Sequence, residues 1–177
     1  WDVHHNIVSE AFFSTKIKIP KTDKFIFLTI NRLHEIKNID LLIKAFYLFA
    51  KVHPNSELRI IGIGSEYKKL KKFLVNLGIS GKIKFLGRVN RSQIPNHINQ
   101  SHVYVHSSHY ETFGVVFVES LAMGRPIVTT NVGGAKEIVD DSVGITVNSF
   151  TPNEFSEAMI SIKDKYAQFH STNIRKY

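Results

Sequence analysis

The chain has 177 residues, of which 43% are hydrophobic and 21% charged, enough to build the core of one globular domain. It contains no cysteine, which excludes disulfide bonds and thiolate metal sites and favours an intracellular setting. The formal net charge of +8 favours anionic partners, although a solvated lysine-rich surface is the commoner explanation of such a charge.

No apolar stretch of the sequence is long enough to span a membrane, and no signal peptide is recognisable. The chain opens on Trp1 and not on Met, so we expect a segment of a longer, cytoplasmic protein. Aromatic and basic residues do not interleave as they do on surfaces that bind single strands, so nucleic acid is not expected as a partner. Peripheral contact with an anionic membrane is left open.

Residues 1–20 show no clear hydrophobic period and are interpreted as a leading, interdomain segment that includes a short strand. The apolar run Phe25–Ile30 predicts a strand that is buried on both faces. Apolar residues from Leu41 to Phe49 then recur at helical spacing, with Pro54 just past the end. The alternation continues, with strands predicted over 58–61, 82–86, 103–105, 126–129 and 143–147, and with helices ending near residues 77, 100, 123, 139 and 165.

Repeated strand–helix units of this length predict an α/β fold, a doubly wound parallel sheet of about six strands with helices on both faces. We expect residues 21–165 to form this domain and residues 166–177 to form a polar tail. Ligands of such sheets bind beyond the carboxyl ends of the strands. The loops at that edge hold most of the unusual residues, and they start at Asn31, Gly62, Gly87, Ser107 and Asn131.

Two carboxylates, Glu111 and Glu119, flank the pair Phe113-Gly114, after which the sequence becomes apolar on every face. Such a run predicts a buried helix, and an ionised carboxylate within it needs a partner. The structural interpretation pairs Glu119 with an arginine such as Arg125 or Arg88. The functional interpretation pairs it with hydroxyl groups of a ligand, and this residue alone does not decide between the two.

The turn Thr112-Phe113-Gly114-Val115 precedes the buried helix, so its free N–H groups face the crevice and attract phosphate or another anion. Gly114 lets a ligand approach the backbone closely. Glu111 then lies above whatever adjoins that phosphate, and Glu119 reaches a group further back. Because carboxylates bind adjacent sugar hydroxyls, this arrangement suits a sugar that is joined through phosphates to a ribose.

Arg32 and Lys37 lie in the loop after the first strand, where a guanidinium and an ammonium suit a diphosphate. Two cations in a surface loop are common, however, and by themselves do not indicate a site. Gly62-Ile63-Gly64 resembles the start of a dinucleotide fingerprint, but Tyr67 stands at its third position and the motif follows the second strand. Backbone geometry explains such glycines more simply.

Three histidines, His102, His106 and His109, fall on a strand and its exit. Spacings of four and three do not converge there as they do on a helix, and no Asp or Cys stands close enough to complete a metal site. We therefore expect no bound metal and interpret these histidines as buried or ligand-facing.

Taken together, these motifs resemble the signature of the family 4 glycosyltransferases. The pattern E-x7-E from Glu111 to Glu119 carries the resemblance together with Ala122-x-Gly124-x-Pro126. The flanking matches, all in the family's order, are Arg32-Leu33 with Lys37, Gly62-x-Gly64, Phe85-x-Gly87-x-Val89 and Gly133-Gly134-x-x-Glu137. The match covers about Phe25 to Lys165, and Asn6-Ile7-Val8 resembles the interdomain segment that precedes it.

The resemblance implies a retaining GT-B enzyme with two Rossmann-like domains, of which this chain is the C-terminal, nucleotide-sugar-binding half. It implies transfer of a hexose-type sugar from a UDP-, GDP- or ADP-sugar to a glycan or lipid-linked acceptor, as in polysaccharide biosynthesis, without a metal or other cofactor. The fragment, lacking the acceptor domain, is expected to bind the donor but hardly to turn over. The tail 166–177 is expected to lead back towards the missing domain.

Carried over by position, the resemblance assigns catalytic roles to Arg32 and Lys37, which hold the diphosphate, and to Glu111, which lies near the anomeric carbon. The substrate-binding residues are Thr112, Phe113, Gly114 and Val115 at sugar and phosphate, Glu119 at the ribose diol, Arg88 and Val89 at the base, and Gly62 and Gly64. The sequence departs from the family at Asn31 and Asn38, where glycine is frequent. The alternatives are a sugar-nucleotide epimerase of the same build, a nicotinamide-dependent oxidoreductase, and a regulatory domain with a vestigial site.

Overall fold

A sheet of six parallel strands organises the computed structural model, which describes residues 8–177. The strands lie in the order β3-β2-β1-β4-β5-β6. In chain order they are Phe25–Ile30 (β1), Ser56–Ile61 (β2), Ile83–Gly87 (β3), Val103–His106 (β4), Ile127–Thr130 (β5) and Gly144–Val147 (β6). The predicted fold class, an α/β, Rossmann-like, doubly wound parallel sheet with helices on both faces, is confirmed.

The helices between β1 and β6, and the one directly after β6, lie at nearly the places that the sequence predicts. In chain order the helices are Glu10–Ser14 (α1), Ile39–Val52 (α2), Tyr67–Asn76 (α3), Ile94–Asn99 (α4), Val115–Ala122 (α5), Ala135–Ile138 (α6), Pro152–Asp164 (α7) and Ser171–Ile174 (α8). Short 3-10 turns lie at Glu35–Lys37, Arg91–Gln93 and Tyr166–Gln168. Within the described range, none of these helices combines the length and the apolarity needed to cross a membrane.

The leading segment differs from its prediction. Within residues 8–20 the structure has the short helix α1 and no strand, so the expected strand is wrong there. The helix forms because Phe12 is fully buried in an apolar cluster that includes Ile98 and Met123. Residues 1–7, with most of the Asn6-Ile7-Val8 match, lie outside the described residues.

The polar tail also packs against the body of the domain. Ile174 is buried beside Tyr104, Phe117 and Leu121, on the face of the sheet that α5 covers. Whether residues 166–177 also lead towards another domain stays a prediction, as do the boundaries at residues 20 and 165.

The strand β1 shows why both faces of the sheet are covered. Phe27 packs with Phe46 and Phe49 of α2 on one face, while its neighbour Leu28 joins the cluster of Ile98 on the other. Successive side chains of a strand point to opposite faces, so a continuous apolar run requires two helical layers. The apolar run that predicts a doubly buried strand is thereby explained.

The crevice for a ligand follows from the strand order. Strands β1 and β4 are neighbours, but the chain leaves β1 towards β2 and leaves β4 towards β5, so the loops beyond their carboxyl ends diverge. Further from the sheet, two hydrogen bonds join the end of the loop after β1 to the loop after β4. His109 N–H donates to the Ile36 carbonyl at 2.8 Å, and Ser107 Oγ donates to the Asn38 carbonyl at 2.9 Å.

Candidate functional site

The carboxylate of Glu111 is held from two sides at the start of α5. Its Oε2 lies 2.8 Å from Lys37 Nζ, and its Oε1 accepts a hydrogen bond of 3.2 Å from the Gly114 N–H. His106 Nε2 lies 3.5 Å from Oε2, which is long for a hydrogen bond. His106 and Lys37 lower the pKa of Glu111 to about 2, although partial burial acts the other way. At neutral pH Glu111 is therefore ionised and can only accept hydrogen bonds.

The position of Lys37 depends on a tight turn. Residues Glu35–Lys37 form one 3-10 turn, and Asn38 follows in the left-handed conformation with φ 49°. Asparagine tolerates this conformation better than most side chains, which explains how a family position that is often glycine can be Asn38. The other departure, Asn31, is buried and donates from Nδ2 to Thr29 Oγ1 at 2.8 Å.

Arg32 is exposed at the beginning of the same loop. The structure therefore brings Lys37 into contact with Glu111 and leaves the guanidinium of Arg32 at the surface of the crevice edge. Its role at a diphosphate stays a prediction.

The turn before α5 is shaped by Gly114, which has φ 74°. Thr112 is exposed, Phe113 and Val115 are half-buried, and the helix begins at Val115. The first N–H groups of a helix have no carbonyl partner within it, so this end of α5 presents free donors beside Glu111.

A glycine pair in the loop after β5 supports this turn from behind. A Cβ added to Gly133 would lie 1.5 Å from the Glu111 carbonyl oxygen, and one added to Gly134 would lie 2.4 Å from that of Phe113. The backbone at Glu111 therefore rests directly on Gly133-Gly134. The two adjacent glycines are visible in the sequence motif, but only the structure shows that they are needed for this close backbone packing.

Glu119 is buried on α5, with a side chain only 1% exposed, and its Oε1 is paired with Arg91 Nη2. Burial raises the pKa of Glu119, and Arg91 opposes this effect only in part. The structural interpretation, an arginine partner for Glu119, is confirmed, but the two suggested residues, Arg125 and Arg88, are wrong, because the guanidinium comes from Arg91 in the 3-10 turn after β3. Nothing local in the sequence distinguishes Arg91 as that partner.

Arg125 has a different function. It is fully buried, and its N–H groups donate to the carbonyls of Ile98 at 3.1 Å and Asn99 at 3.3 Å and to the carbonyl of Lys18. A further contact of 3.4 Å reaches Ser171 Oγ. Arg125 therefore ties the leading segment and the tail to the sheet, which explains why it is not available to Glu119.

The remaining predicted residues lie around the same edge. Arg88 is exposed, and half-buried Val89 packs against the cluster that contains Phe12. A Cβ on Gly62 would lie 1.7 Å from the Asn31 carbonyl oxygen, and one on Gly64 would lie 2.2 Å from that of Leu33. Close backbone packing therefore accounts for Gly62 and Gly64, and contact of either with a ligand stays a prediction.

The three histidines have separate environments. His102 stacks on Phe25, and burial lowers its pKa to about 4. His109 lies beside the ring of Phe150 at the surface, whereas His106 lies beneath Glu111. Among residues 8–177, no three His, Asp or Glu side chains are grouped so that they could hold a metal ion.

Comparisons with known proteins agree on the kind of protein. A family model described as glycosyl transferases group 1 matches residues 11–176. An uncharacterized glycosyltransferase of Methanocaldococcus jannaschii is 32% identical over 157 residues, which cover 88% of this chain and 40% of that protein. The poly(glycerol-phosphate) alpha-glucosyltransferase of Bacillus subtilis is 27% identical over 165 residues, which cover 86% of this chain and 24% of that protein.

A solved structure, Anabaena HepE in complex with UDP and glucose, superposes with a TM-score of 0.77 at 26% identity and covers 87% of this chain and 43% of that chain. The fold matches the C-terminal domains of GT-B glycosyltransferases. The chain therefore spans less than half of the length of each relative named here.

Proposed function

This chain belongs to the group 1 glycosyltransferases, and we propose that it forms the domain that binds the nucleotide-sugar donor. The observation that carries the proposal is the contact between Glu111 and Lys37 at the start of α5. This contact lies where the loops after β1 and β4 diverge, which is the ligand crevice of a doubly wound sheet. It brings a carboxylate for sugar hydroxyls next to a cation and free helix N–H groups for phosphates.

The remaining contacts with the donor are proposed as the family resemblance implies them. Lys37 and Arg32 bind the diphosphate and stabilise its charge as the glycosidic bond breaks. The backbone from Thr112 to Val115 contacts sugar and phosphate, and Glu119 binds the ribose hydroxyls. Arg88 and Val89 line the base pocket beside the loop of Gly62 and Gly64.

Glu111 acts in this proposal as a hydrogen-bond acceptor and a negative charge near the anomeric carbon. A carboxyl group with a pKa of about 2 is a poor general acid at neutral pH, because it holds no proton to give. The low pKa therefore favours sugar binding and electrostatic stabilisation over proton transfer.

UDP-sugars are the first donors to test, since HepE was solved with UDP and glucose, with GDP- and ADP-sugars next. A hexose-type sugar is consistent with the Bacillus relative, a poly(glycerol-phosphate) alpha-glucosyltransferase, and a glycan or lipid-linked acceptor is part of the proposal. We propose that the sugar is transferred with retention of the anomeric configuration and that no metal is needed. NMR of the product that the longer protein forms in the presence of EDTA tests both proposals. The relatives named above favour transfer over epimerisation and over nicotinamide chemistry.

Calorimetric titration of this chain with UDP, GDP and ADP tests the proposal, with NAD as the negative control. We expect one nucleotide to bind and Glu119→Ala to weaken it at least about tenfold, since each buried hydrogen bond to a charged group is worth about 1.5–3 kcal/mol. Glu157→Ala, at an exposed position of α7, is the matched control. A folded chain that binds none of the three nucleotides would refute the proposal.

The membrane part of the proposal is assigned to the amino end of the sheet, opposite Glu111. A groove of about 1000 Å³ lies at this end of the sheet. It is lined by Lys16, Lys18, Lys21 and Ile19, and Ile19 is 70% exposed. Clustered lysines beside an exposed apolar side chain complement an anionic lipid surface. Sedimentation with phosphatidylglycerol vesicles should occur and should be lost when the three lysines are replaced by glutamate. Equal binding to phosphatidylcholine vesicles would contradict the proposal.

A further inference from the structure

His106, the last residue of β4, has one ring nitrogen engaged and the other free. Its Nδ1 lies 3.3 Å from Asn31 Nδ2 and 3.3 Å from Tyr104 Oη. Its Nε2 is buried without a hydrogen-bond partner among the described residues, 3.5 Å from Glu111 Oε2. Buried polar atoms are rarely left unpaired, so this nitrogen requires an explanation.

Asn31 decides which nitrogen carries the proton. An amide NH₂ only donates, and Asn31 Nδ2 directs one hydrogen to Thr29 Oγ1 at 2.8 Å, which leaves the other for His106 Nδ1. With the amide in this orientation Nδ1 accepts, and the proton of the neutral imidazole lies on Nε2.

The surroundings of the ring keep it neutral. The ring is 2% exposed, and burial together with Lys37 lowers the pKa of His106, while Glu111 acts in the opposite direction. Tyr104 lies on the Nδ1 side, and burial raises the pKa of its hydroxyl, so it stays protonated. From α5 the apolar ring of Phe117 faces the imidazole, at 5.0 Å between centroids.

We propose that His106 is a positioning residue whose Nε2–H orients Glu111 towards the sugar of the donor, with Asn31 fixing the required tautomer. The proposal rests on the proposed function of Glu111. In the structure Lys37 holds Oε2 at 2.8 Å, but a bound diphosphate competes for the same ammonium. When Lys37 turns to the diphosphate, Oε2 needs another donor, and the unpaired Nε2–H is the one within reach.

NMR of the ¹⁵N-labelled chain tests the tautomer without any ligand. Two-bond correlations of the imidazole should show His106 neutral at pH 7 with the proton on Nε2. In Asn31→Asp, an acceptor replaces the donor at Nδ1, so His106 should become the doubly protonated imidazolium. A wild-type proton on Nδ1, or an unchanged ring in Asn31→Asp, overturns the inference, whatever the chain binds.

Calorimetry tests the positioning role through the ratio of the affinity for a UDP-sugar to the affinity for UDP, with UDP-glucose and UDP-N-acetylglucosamine as the probes. His106→Gln keeps an N–H donor near the place of Nε2, whereas His106→Leu removes it. We expect the ratio to fall about tenfold in His106→Leu and to be largely retained in His106→Gln, because one hydrogen bond to a carboxylate is lost. Thermal melting shows whether both variants are folded, and exposed His170→Leu is the control.

Equal ratios in the glutamine and leucine variants overturn the positioning role. A wild-type chain that binds no UDP, GDP or ADP instead overturns the proposed function and with it this role, while the NMR experiment still decides the tautomer.

Discussion

Glu119 and Arg91 form an ion pair of unequal partners: the carboxylate side chain is 1% exposed, whereas that of the arginine is 58% exposed. The buried charge loses its hydration, and the exposed guanidinium, still solvated, compensates only in part. The net effect is that burial raises the pKa of Glu119. The pair therefore costs stability in the free chain.

Glu119→Gln should accordingly stabilise the free chain at neutral pH by about 1 kcal/mol. A carboxyl group whose pKa is raised by folding stabilises the folded state at pH values below its pKa in the unfolded chain. This contribution is lost as the pH rises through its pKa in the folded chain. The gain should therefore shrink when chemical denaturation is repeated at pH 4. A lower stability at pH 7 would show that the ion pair is net stabilising, and Glu157→Gln is the matched control.

Glu111 should make stability depend on acid in the opposite sense. Folding lowers its pKa from 4.5 to about 2, so its contribution is complete above pH 4.5 and is lost as the pH falls towards 2. A shift of that size corresponds to about 3 kcal/mol, which solvent screening at a half-buried carboxylate reduces to about 1–2. Between pH 6 and pH 3, Glu111→Gln should lose less unfolding free energy than the wild type by about 1 kcal/mol, because part of the contribution is lost only below pH 3. Identical pH profiles would show that Lys37 and His106 contribute nothing to folding.

Arg125→Met should destabilise the chain by about 2–4 kcal/mol, because several buried carbonyl groups lose their donor. The released parts are the leading segment at Lys18 and the tail at Ser171, so hydrogen exchange should rise first there. Arg88→Met, at an exposed position, should leave unfolding unchanged. Wild-type exchange rates in both segments would show that Arg125 does not hold them.

Gly133→Ala should damage both stability and the site. The new Cβ would overlap the Glu111 carbonyl oxygen, and φ is +46°, so the cost should be at least about 2 kcal/mol. Calorimetry should also show weaker binding of the nucleotide sugar, since Glu111 is displaced. Gly81→Ala is the control, because nothing lies within 4 Å of its added Cβ. Equal stability of the two variants would contradict the packing described here.

The chain alone should bind a donor and transfer no sugar, because it spans only 40% of the Methanocaldococcus relative and we propose that the acceptor is bound outside the part that this chain covers. Release of UDP from UDP-glucose, followed with a coupled assay, should be at background for the chain and measurable for the longer protein that contains it. Turnover by the chain at the rate of the longer protein would show that all catalytic groups are present here.

The sequence predicts the parts of this protein that local patterns encode. Apolar runs and helical spacing locate every strand from β1 to β6, because burial on two faces leaves a continuous apolar signal. Motif order likewise places Lys37 and Glu111 at one edge, since parallel strands end on the same side. The sequence does not predict the short α1, because Phe12 is its only buried residue and no other apolar residues of the helix recur around it at helical spacing.

What only the tertiary structure decides are the long-range partners. That Glu119 contacts Arg91, that Arg125 donates to backbone carbonyls, and that Asn31 contacts His106 all depend on neighbouring loops and on the placement of β1 beside β4. Spacing along the chain does not encode such contacts, because they join segments whose separation is set by the packing of the whole sheet. The sequence by itself determines that two carboxylates border a crevice, and the packed structure determines which cation or imidazole each one contacts.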